Sequence, residues 1–366
     1  ELYSSIFAKN MKLSSGWNPV YFLTKSSNYS YVKEEFPEAI RHNFIDSIKG
    51  VFPDKELTSN AFDLSLLDEI DLDFTIAISL LDRNDSNSYS FHYKERLSFC
   101  NDLINQWYSV LTHYKIDKVL FQEEPHQCST YILYKVAKHL NLKTLMVVRT
   151  ISDLGVIPKY SIEAPNEKLL SLYKENIKKF DSTNELEINS TLSQYLSELS
   201  GDYDKVLKKH LWNQLDSYKN ILHDNNFMFA VLKVYGRKII NKLRNLKPVT
   251  IESDQKEKHK TFSDSKKNYY SYQKDRIQTT LNKRRLYQTY KSMASISSLK
   301  DTDYVLCALQ YQPEKSTCPN GGKFNDQRLM IKSLRSVLPP NVKIIVKEHP
   351  SQFIFDFARY GEYFRD

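Results

Sequence analysis

Glycine is scarce in this sequence, which has only eight glycines among 366 residues. None of them forms GxGxxG or GxxxxGK, the patterns with which a loop cradles phosphate groups at the start of a helix. This scarcity argues against a phosphate-binding glycine loop of either the dinucleotide kind or the P-loop kind.

Cysteine is also rare, and long apolar runs are missing. The four cysteines lie far apart, with no CxxC pair and no histidine cluster at metal-ligand spacing. We therefore expect reduced thiols rather than a disulfide framework, and no metal site. No apolar run reaches the length of about eighteen residues that spans a bilayer. Nothing at the start resembles a signal peptide, so these absences predict a cytoplasmic protein, soluble or peripheral to a membrane.

Positive charge is concentrated in the middle of the chain. The formal net charge is +8, yet residues 231–300 alone hold eighteen Lys or Arg and five Asp or Glu. Residues 225–251 contain six basic residues, no acidic residue, and apolar residues at near-helical spacing. A basic amphipathic helix of this kind fits an anionic membrane surface, and a solvated helix over a domain junction fits the pattern equally well. No nucleic-acid motif accompanies the basic residues, so we expect no nucleic-acid partner.

Strand-like and helix-like patterns alternate at both ends of the chain. KVLFQEEPH, a helix through YILYKVAKHLN and KTLMVVR form a strand-helix-strand unit, which predicts a parallel sheet. Earlier segments include the β-rich run WNPVYFLT, the apolar run FTIAISLLD and a helix from ERLSFC onward. Near the end, DYVLCALQYQPE, the helix DQRLMIKSLRSVLP and the strand VKIIVKEHP form a second α/β pattern.

The middle of the chain has a different character. The pattern is helical from about residue 166 to 244, polar and linker-like from 247 to 267, and helical again up to 300. We therefore predict an α/β protein with three regions. Residues 1–165 form a Rossmann-like domain, residues 166–300 form a helical and basic connecting region, and residues 301–366 begin a second Rossmann-like domain.

Polar side chains follow three of the predicted strands. In open parallel sheets, ligands bind beyond the carboxyl ends of the strands, so these residues are candidate site residues. In the first domain they are Glu123, Glu124 and His126, and Arg149 ends the neighbouring strand. In the last region they are Gln310, Gln312, Glu314, Lys347, Glu348, His349 and Ser351.

The stretch LQYQPEKSTCPNGGKFNDQRLMIKSL followed by VKIIVKEHPSQF resembles the capsule polysaccharide biosynthesis family. That family includes Kdo-type transferases of capsule and lipopolysaccharide assembly. PH followed by LYKVAKHLNLKTL is similar to the N-terminal half of those proteins. The resemblance implies a metal-independent GT-B glycosyltransferase with two facing Rossmann-like domains. It also implies a nucleotide-sugar donor, such as CMP-linked Kdo, and a glycan or glycolipid acceptor at the inner face of a bacterial cytoplasmic membrane.

The resemblance also has a consequence for the extent of the chain. The family continues after the HP strand with further βα units, one of which carries a small-residue loop that helps to hold the donor. Because this sequence stops at Asp366, we expect the second domain to be incomplete and the chain alone to be inactive. The chain opens with Glu-Leu-Tyr rather than Met, and we expect further residues before it as well.

The resemblance assigns roles to the strand-end residues. Gln310, Gln312, Glu314, Lys347, Glu348, His349 and Ser351 would bind the donor. Glu123, Glu124 and His126 would carry the chemistry, because glycosyl transfer needs a carboxylate near the anomeric centre. If the strand persists, the two glutamates point to opposite sides and only one faces the cleft, and Glu124 capping the next helix is the structural alternative. Arg149 would pair with a donor anion or form a structural salt bridge.

Two other functions fit the same pattern. One is a non-catalytic glycan-binding or capsule export-assembly protein of the same fold, which would show no nucleotide affinity. The other is a different GT-B-shaped enzyme, such as a sugar-nucleotide epimerase. Only the resemblance around residues 304–353 favours the glycosyltransferase over the epimerase.

Overall fold

The structure is a computed structural model of the chain. It describes residues 2–54, 64–81, 92–149, 155–183, 188–201, 229, 236, 240, 269–293, 302–311 and 314–349. These residues form helices and small sheets together, which confirms the predicted α/β class.

Among the described residues, helices follow the predicted periodicity over most of the chain. They are α1 (Leu2–Ser15), α2 (Tyr29–Glu35), α3 (Phe44–Ile48), α4 (Leu64–Glu69), α5 (Phe74–Leu81), α6 (Tyr93–His113), α7 (Cys128–His139), α8 (Glu167–Thr183), α9 (Ser190–Gly201), α10 (Tyr269–Met293) and α11 (Gln327–Val337). The predicted helix through VLKKHLWNQLDSYKNIL and the linker at 247–267 lie outside the described residues. No helix in the described part is long and apolar enough to cross a bilayer.

The strands form three small sheets in the described part. They are β1 (Tyr21–Thr24), β2 (Ile40–Asn43), β3 (Lys118–Phe121), β4 (Lys143–Arg149), β5 (Val156–Lys159), β6 (Tyr304–Ala308) and β7 (Lys343–Lys347). The pairs β1–β2 and β6–β7 are parallel, and β3, β4 and β5 are hydrogen-bonded in that order. The helices α2, α7 and α11 connect β1 to β2, β3 to β4 and β6 to β7, as expected for strand-helix-strand units.

The elements α2, β2, α3 and α4 were not identified from the sequence, nor was the nature of two further elements. Strand β5 pairs with β4 in the antiparallel direction, because the six residues between them are too few for the crossover that a parallel pair needs. The apolar run FTIAISLLD is helix α5. Asp73 favours that helix, since its Oδ1 accepts hydrogen bonds from the backbone N–H groups of Thr75 at 2.9 Å and Ile76 at 3.2 Å.

The chain divides into two compact units. The first comprises residues 1–119, 125–143 and 228–366, and the second comprises residues 120–124 and 144–227. The first unit therefore contains β1, β2 and α1 to α7 together with β6, α11 and β7. The boundaries predicted at residues 165 and 300 remain a prediction from the sequence.

The core of the first unit lies around α6 and α7. Trp107 of α6 is 1% exposed, and Tyr134 of α7 is fully buried. The Trp107 indole N–H donates to Ser129 Oγ at 3.0 Å, and that oxygen lies 2.6 Å from Ser47 Oγ. Burying a large apolar side chain stabilises the fold by roughly 1.5–3 kcal/mol. The indole retains this stabilisation because its single polar atom is hydrogen-bonded and is not buried unpaired.

A buried histidine joins β2 to its neighbours. His42 is 1% exposed, and its Nε2 lies 2.8 Å from the carbonyl oxygen of Val51. Because a carbonyl only accepts, Nε2 carries the proton and Nδ1 accepts from the Tyr21 hydroxyl at 2.7 Å. Burial lowers the pKa of His42, so the ring is held neutral.

Two contacts join the C-terminal part of the first unit to α5. The Cys318 thiol donates to the carbonyl oxygen of Ile76 at 3.5 Å. The Asn325 side-chain amide donates to Ser79 Oγ at 2.9 Å. Cys318 is fully buried and Asn325 is 7% exposed, so the loop between β6 and α11 is anchored in the interior of this unit.

The second unit holds β4, β5, α8 and α9. Asn166 fixes the start of α8, because its Oδ1 accepts from the Leu169 N–H at 3.0 Å and its Nδ2 donates to the Pro158 carbonyl of β5 at 2.6 Å. Thr144 Oγ1 donates to the Tyr160 carbonyl at 2.7 Å. Large apolar side chains of α8 are exposed, among them Tyr173 and Phe180.

Candidate functional site

The candidate site lies at the carboxyl ends of β6 and β7. The two strands are in register from Tyr304 opposite Lys343 to Ala308 opposite Lys347. The ladder extends one step further, because the N–H of Leu309 donates to the Lys347 carbonyl at 2.9 Å. The residues that follow both strands are therefore held side by side, as the sequence predicted for parallel strands.

The predicted donor-binding residues occupy different environments around this edge. Gln310 and Lys347 are exposed, Glu348 is buried, and His349 is half-buried. Glu314 lies six residues beyond β6, in a turn, and is half-buried. Gln312 and Ser351 lie outside the described residues.

Glu348 is the buried carboxyl group of the site. It is 5% exposed, and its Oε1 accepts the backbone N–H of His349 at 2.8 Å. Its Oε2 is buried and has no hydrogen-bond partner among the described residues. Burial raises the pKa of Glu348, and the single N–H bond opposes this rise. The carboxyl group therefore has capacity for one more hydrogen bond inside the protein.

His349 is adjacent to Glu348 and lies near an aromatic ring. The centroids of the His349 and Tyr311 rings are 5.9 Å apart, with 36° between the planes. Burial lowers the pKa of His349, the charge of Glu314 opposes this shift, and Lys347 adds to it. The imidazole is therefore mainly neutral near pH 7 and can donate from one ring nitrogen and accept at the other.

Gln327 is a residue of this site that the sequence did not point to. Its Oε1 accepts the backbone N–H of Gln310 at 2.7 Å, and its Nε2 donates to the Gln310 carbonyl at 2.9 Å. Gln327 is the first residue of α11, where the Asp326 side chain caps the helix by accepting the N–H of Arg328 at 3.0 Å. The capping aspartate at the start of DQRL predicts the helix, but not the bond from Gln327 to Gln310.

The loop after β6 is shaped by a turn and a glycine. Thr317 Oγ1 accepts the N–H of Glu314 at 3.1 Å and donates to its carbonyl at 2.9 Å. The Cys318 N–H also donates to that carbonyl, at 2.7 Å. A Cβ atom on Gly321 would lie 2.4 Å from the carbonyl oxygen of Thr317, so only glycine fits there. The turn fixes the backbone at Glu314 relative to the anchored loop.

The two glutamates after β3 are in different environments. Glu124 is 5% exposed, and its Oε1 accepts from Lys159 Nζ of β5 at 2.6 Å. Glu123 is exposed. The alternative that Glu124 caps the next helix is wrong, because Gln127 is the N-cap residue of α7. Glu124 is three residues too early, and its carboxylate is bound to Lys159 instead.

The remaining two candidate residues are His126 and Arg149. His126 is half-buried, one position before the N-cap residue of α7. Arg149 is the exposed last residue of β4 and is in register with Val156. In the described part of the chain, no group of three or more His, Cys, Asp or Glu could hold a metal ion.

No protein-family model matches the chain, and neither a curated protein nor a solved structure matches it significantly. The resemblance to the capsule polysaccharide biosynthesis family therefore remains a prediction from the motifs around residues 304–353.

Proposed function

We propose that this chain is a GT-B glycosyltransferase of bacterial capsule or surface polysaccharide synthesis, built on two Rossmann-like domains. Its donor would be a nucleotide-activated sugar, such as CMP-linked Kdo, and its acceptor a glycan or glycolipid. The observation that carries the proposal is the pair Glu348 and His349 at the carboxyl end of the parallel β6–β7 pair. A buried carboxyl with an unfilled bonding position beside a half-buried imidazole is typical of a binding site.

The groups at this edge suit different parts of such a donor. Glu348 Oε2 would meet a hydroxyl or amino group of the nucleotide or sugar. The neutral His349 ring would donate its N–H to a phosphate oxygen, and Lys347 would add positive charge near that phosphate. Gln310 presents an exposed side-chain amide that can read the edge of a base or sugar.

The chemistry would come from the carboxylates after β3. An inverting transfer needs a base that removes the proton of the acceptor hydroxyl as the sugar leaves its phosphate. Glu124 is 5% exposed and engaged by Lys159 at 2.6 Å, so an acceptor hydroxyl has little access to it. Glu123 is exposed and becomes the preferred base of the two. His126 and Arg149 stay candidates for binding anionic groups.

The basic segment at residues 225–251 would place the enzyme on an anionic membrane. Phe229 and Ile240 are described there, both helical and exposed at 69% and 48%. Exposed apolar residues in a basic segment fit binding to the inner leaflet, where a glycolipid acceptor would be found. The proposed location is therefore cytoplasmic and peripheral.

The donor site is tested by binding. The intact protein is titrated with CMP, UMP and CMP-Kdo by calorimetry, as wild type and as His349→Ala, with Lys343→Ala as the control at the opposite end of β7. We expect His349→Ala to weaken CMP binding about tenfold, the equivalent of one hydrogen bond to a charged group. Lys343→Ala should bind as wild type. If the wild type binds none of these nucleotides, the proposal is wrong.

The catalytic role is tested by turnover in the full-length protein. Glu123→Gln should leave CMP affinity nearly unchanged and lower sugar transfer by a factor on the order of a hundred. Glu124→Gln loses its pairing with Lys159 and serves as the comparison. Transfer at the wild-type rate in both variants would exclude these carboxylates as the base. Glycan binding without transfer or nucleotide affinity would favour the non-catalytic glycan-binding alternative.

The membrane role is tested by co-sedimentation with vesicles that contain phosphatidylglycerol. Reversing the charges of Lys233, Arg237, Lys238 and Lys242 should release the protein, and raised salt should do the same. The matched control reverses Lys168, Lys174, Lys178 and Lys179 of α8. If the first variant sediments like the wild type, the basic segment does not hold the protein to membranes.

A further inference from the structure

The side chain of Gln327 occupies the place that a third strand would take beside the end of β6. It offers one acceptor and one donor to the two backbone polar groups of Gln310, at 2.7 Å and 2.9 Å. These are the two bonds that a neighbouring strand would supply in a ladder. Gln327 is 3% exposed, so the pairing is shielded from water.

The end of β6 is therefore fixed from two directions. On one side, the N–H of Leu309 is bonded to the Lys347 carbonyl of β7 at 2.9 Å. On the other, Gln310 is bonded to Gln327 at the start of α11. Tyr311 follows directly and is 6% exposed, and its ring lies against the ring of His349. The position of the Tyr311 ring thus depends on how Gln310 is held.

We infer that Gln327 is a positioning residue, which clamps Gln310 so that Tyr311 packs on His349 and holds the imidazole in its place. The identity of the ligand rests on the function proposed above. The contacts from Gln327 to Gln310 and from Tyr311 to His349 are independent of that proposed function. Gln327 acts through Gln310 and Tyr311 and is not itself a catalytic residue.

Substitutions of Gln327 can separate the effect of its hydrogen bonds from the effect of its packing. Burying an amide is unfavourable unless its bonds are made, and an apolar side chain of the same length removes that requirement. Methionine is close to glutamine in length and fills irregular space well. Gln327→Met should therefore keep the packing of α11 while it removes both bonds to Gln310. Gln327→Glu keeps the acceptor for the Gln310 N–H and, when ionised, loses the donor.

The test follows the His349 ring by NMR in the intact protein, with its resonance assigned by its loss in His349→Asn. The pKa of this ring is lowered mainly by burial, with Glu314 and Lys347 as the charged groups that act on it. In Gln327→Met we expect the pKa of His349 to rise towards its ordinary value, because a released Tyr311 leaves the ring more exposed. Gln327→Glu should give a smaller rise. The control Gln278→Met, on the exposed face of α10, should give none.

Binding provides the second readout. CMP affinity should fall about tenfold in Gln327→Met and stay at the wild-type value in Gln278→Met. If the wild type binds no CMP, the proposed function fails, while the His349 titration still decides the role of Gln327. If Gln327→Met does not fold, Gln327→Glu takes its place. An unchanged His349 titration in the folded variants would overturn the inference.

Discussion

Replacing Glu348 with glutamine removes a charge from a carboxyl group that is 5% exposed. One oxygen accepts a single backbone N–H at 2.8 Å, and the other is buried with no partner among the described residues. Leaving a buried polar atom without a bond costs about 1–3 kcal/mol, and more when the group is charged. Glutamine keeps the shape and the acceptor, and its unbonded NH₂ group carries no charge. We therefore expect Glu348→Gln to stabilise the protein by about 1 kcal/mol near pH 8.

The sign of the pH dependence follows from the raised pKa. Since burial raises the pKa of Glu348, the folded state binds more protons than the unfolded state between the ordinary pKa and the raised one. The free energy of unfolding of the wild type should therefore fall as the pH rises through that interval. The stability advantage of Glu348→Gln should be absent at acidic pH, where both states are protonated, and should grow as the pH rises to 8.

Urea unfolding measured between acidic pH and pH 8 checks this expectation. Glu38→Gln is the matched control, because Glu38 is exposed. The same Glu348→Gln variant should bind CMP more weakly, since a site residue is often retained at the expense of stability. A variant that is less stable than the wild type at pH 8 would refute the reasoning, because the carboxylate would then have to be well paired in the fold.

Three further predictions concern the rest of the first unit and its interior. Gly321→Ala should lower the free energy of unfolding by about 2 kcal/mol or more, because its Cβ would clash with the Thr317 carbonyl at 2.4 Å. Gly155→Ala, which meets nothing within 4 Å, is the control in the same urea assay. All four cysteines are free and buried, so a thiol reagent should label none in the native protein and all four in concentrated guanidinium chloride. Because burial lowers the pKa of His42, stability should decline as the pH falls below about 6.5, and His42→Asn should reduce that slope. If the free energy of unfolding of His42→Asn depends on pH as strongly as that of the wild type, another group takes up the proton.

The elements with long, regular patterns could be predicted from the sequence. β6, α11 and β7 follow from a short apolar run, an amphipathic stretch that starts at Asp326, and a second apolar run. The neighbouring positions of the residues after Ala308 and Lys347 follow in turn, because parallel strands end at the same edge of a sheet. These parts of the candidate site could be predicted from local sequence patterns and from the rule that parallel strands end at the same edge of a sheet.

The rest depends on contacts between distant parts of the chain. Alternation could not decide between Glu123 and Glu124, because β3 ends at Phe121 and Glu124 is paired with Lys159 of β5, a strand that the pattern missed. The bonds from Gln327 to Gln310 join residues seventeen positions apart through a loop. No local pattern encodes which polar side chain will meet which backbone group across such a loop. The burial of Glu348 is likewise a property of its surroundings.

The anchoring of the β6–α11 loop on α5 has a consequence for how the protein is made. The two contacts, from Cys318 to Ile76 and from Asn325 to Ser79, join residues 242 and 246 positions apart in the chain. At a synthesis rate of about 5–20 residues per second, α5 leaves the ribosome roughly 10–50 s before the loop that covers it. During that interval the buried face of α5, with Ile76 and Leu80, has no loop over it. The nascent chain is therefore expected to need a chaperone until the loop before α11 emerges.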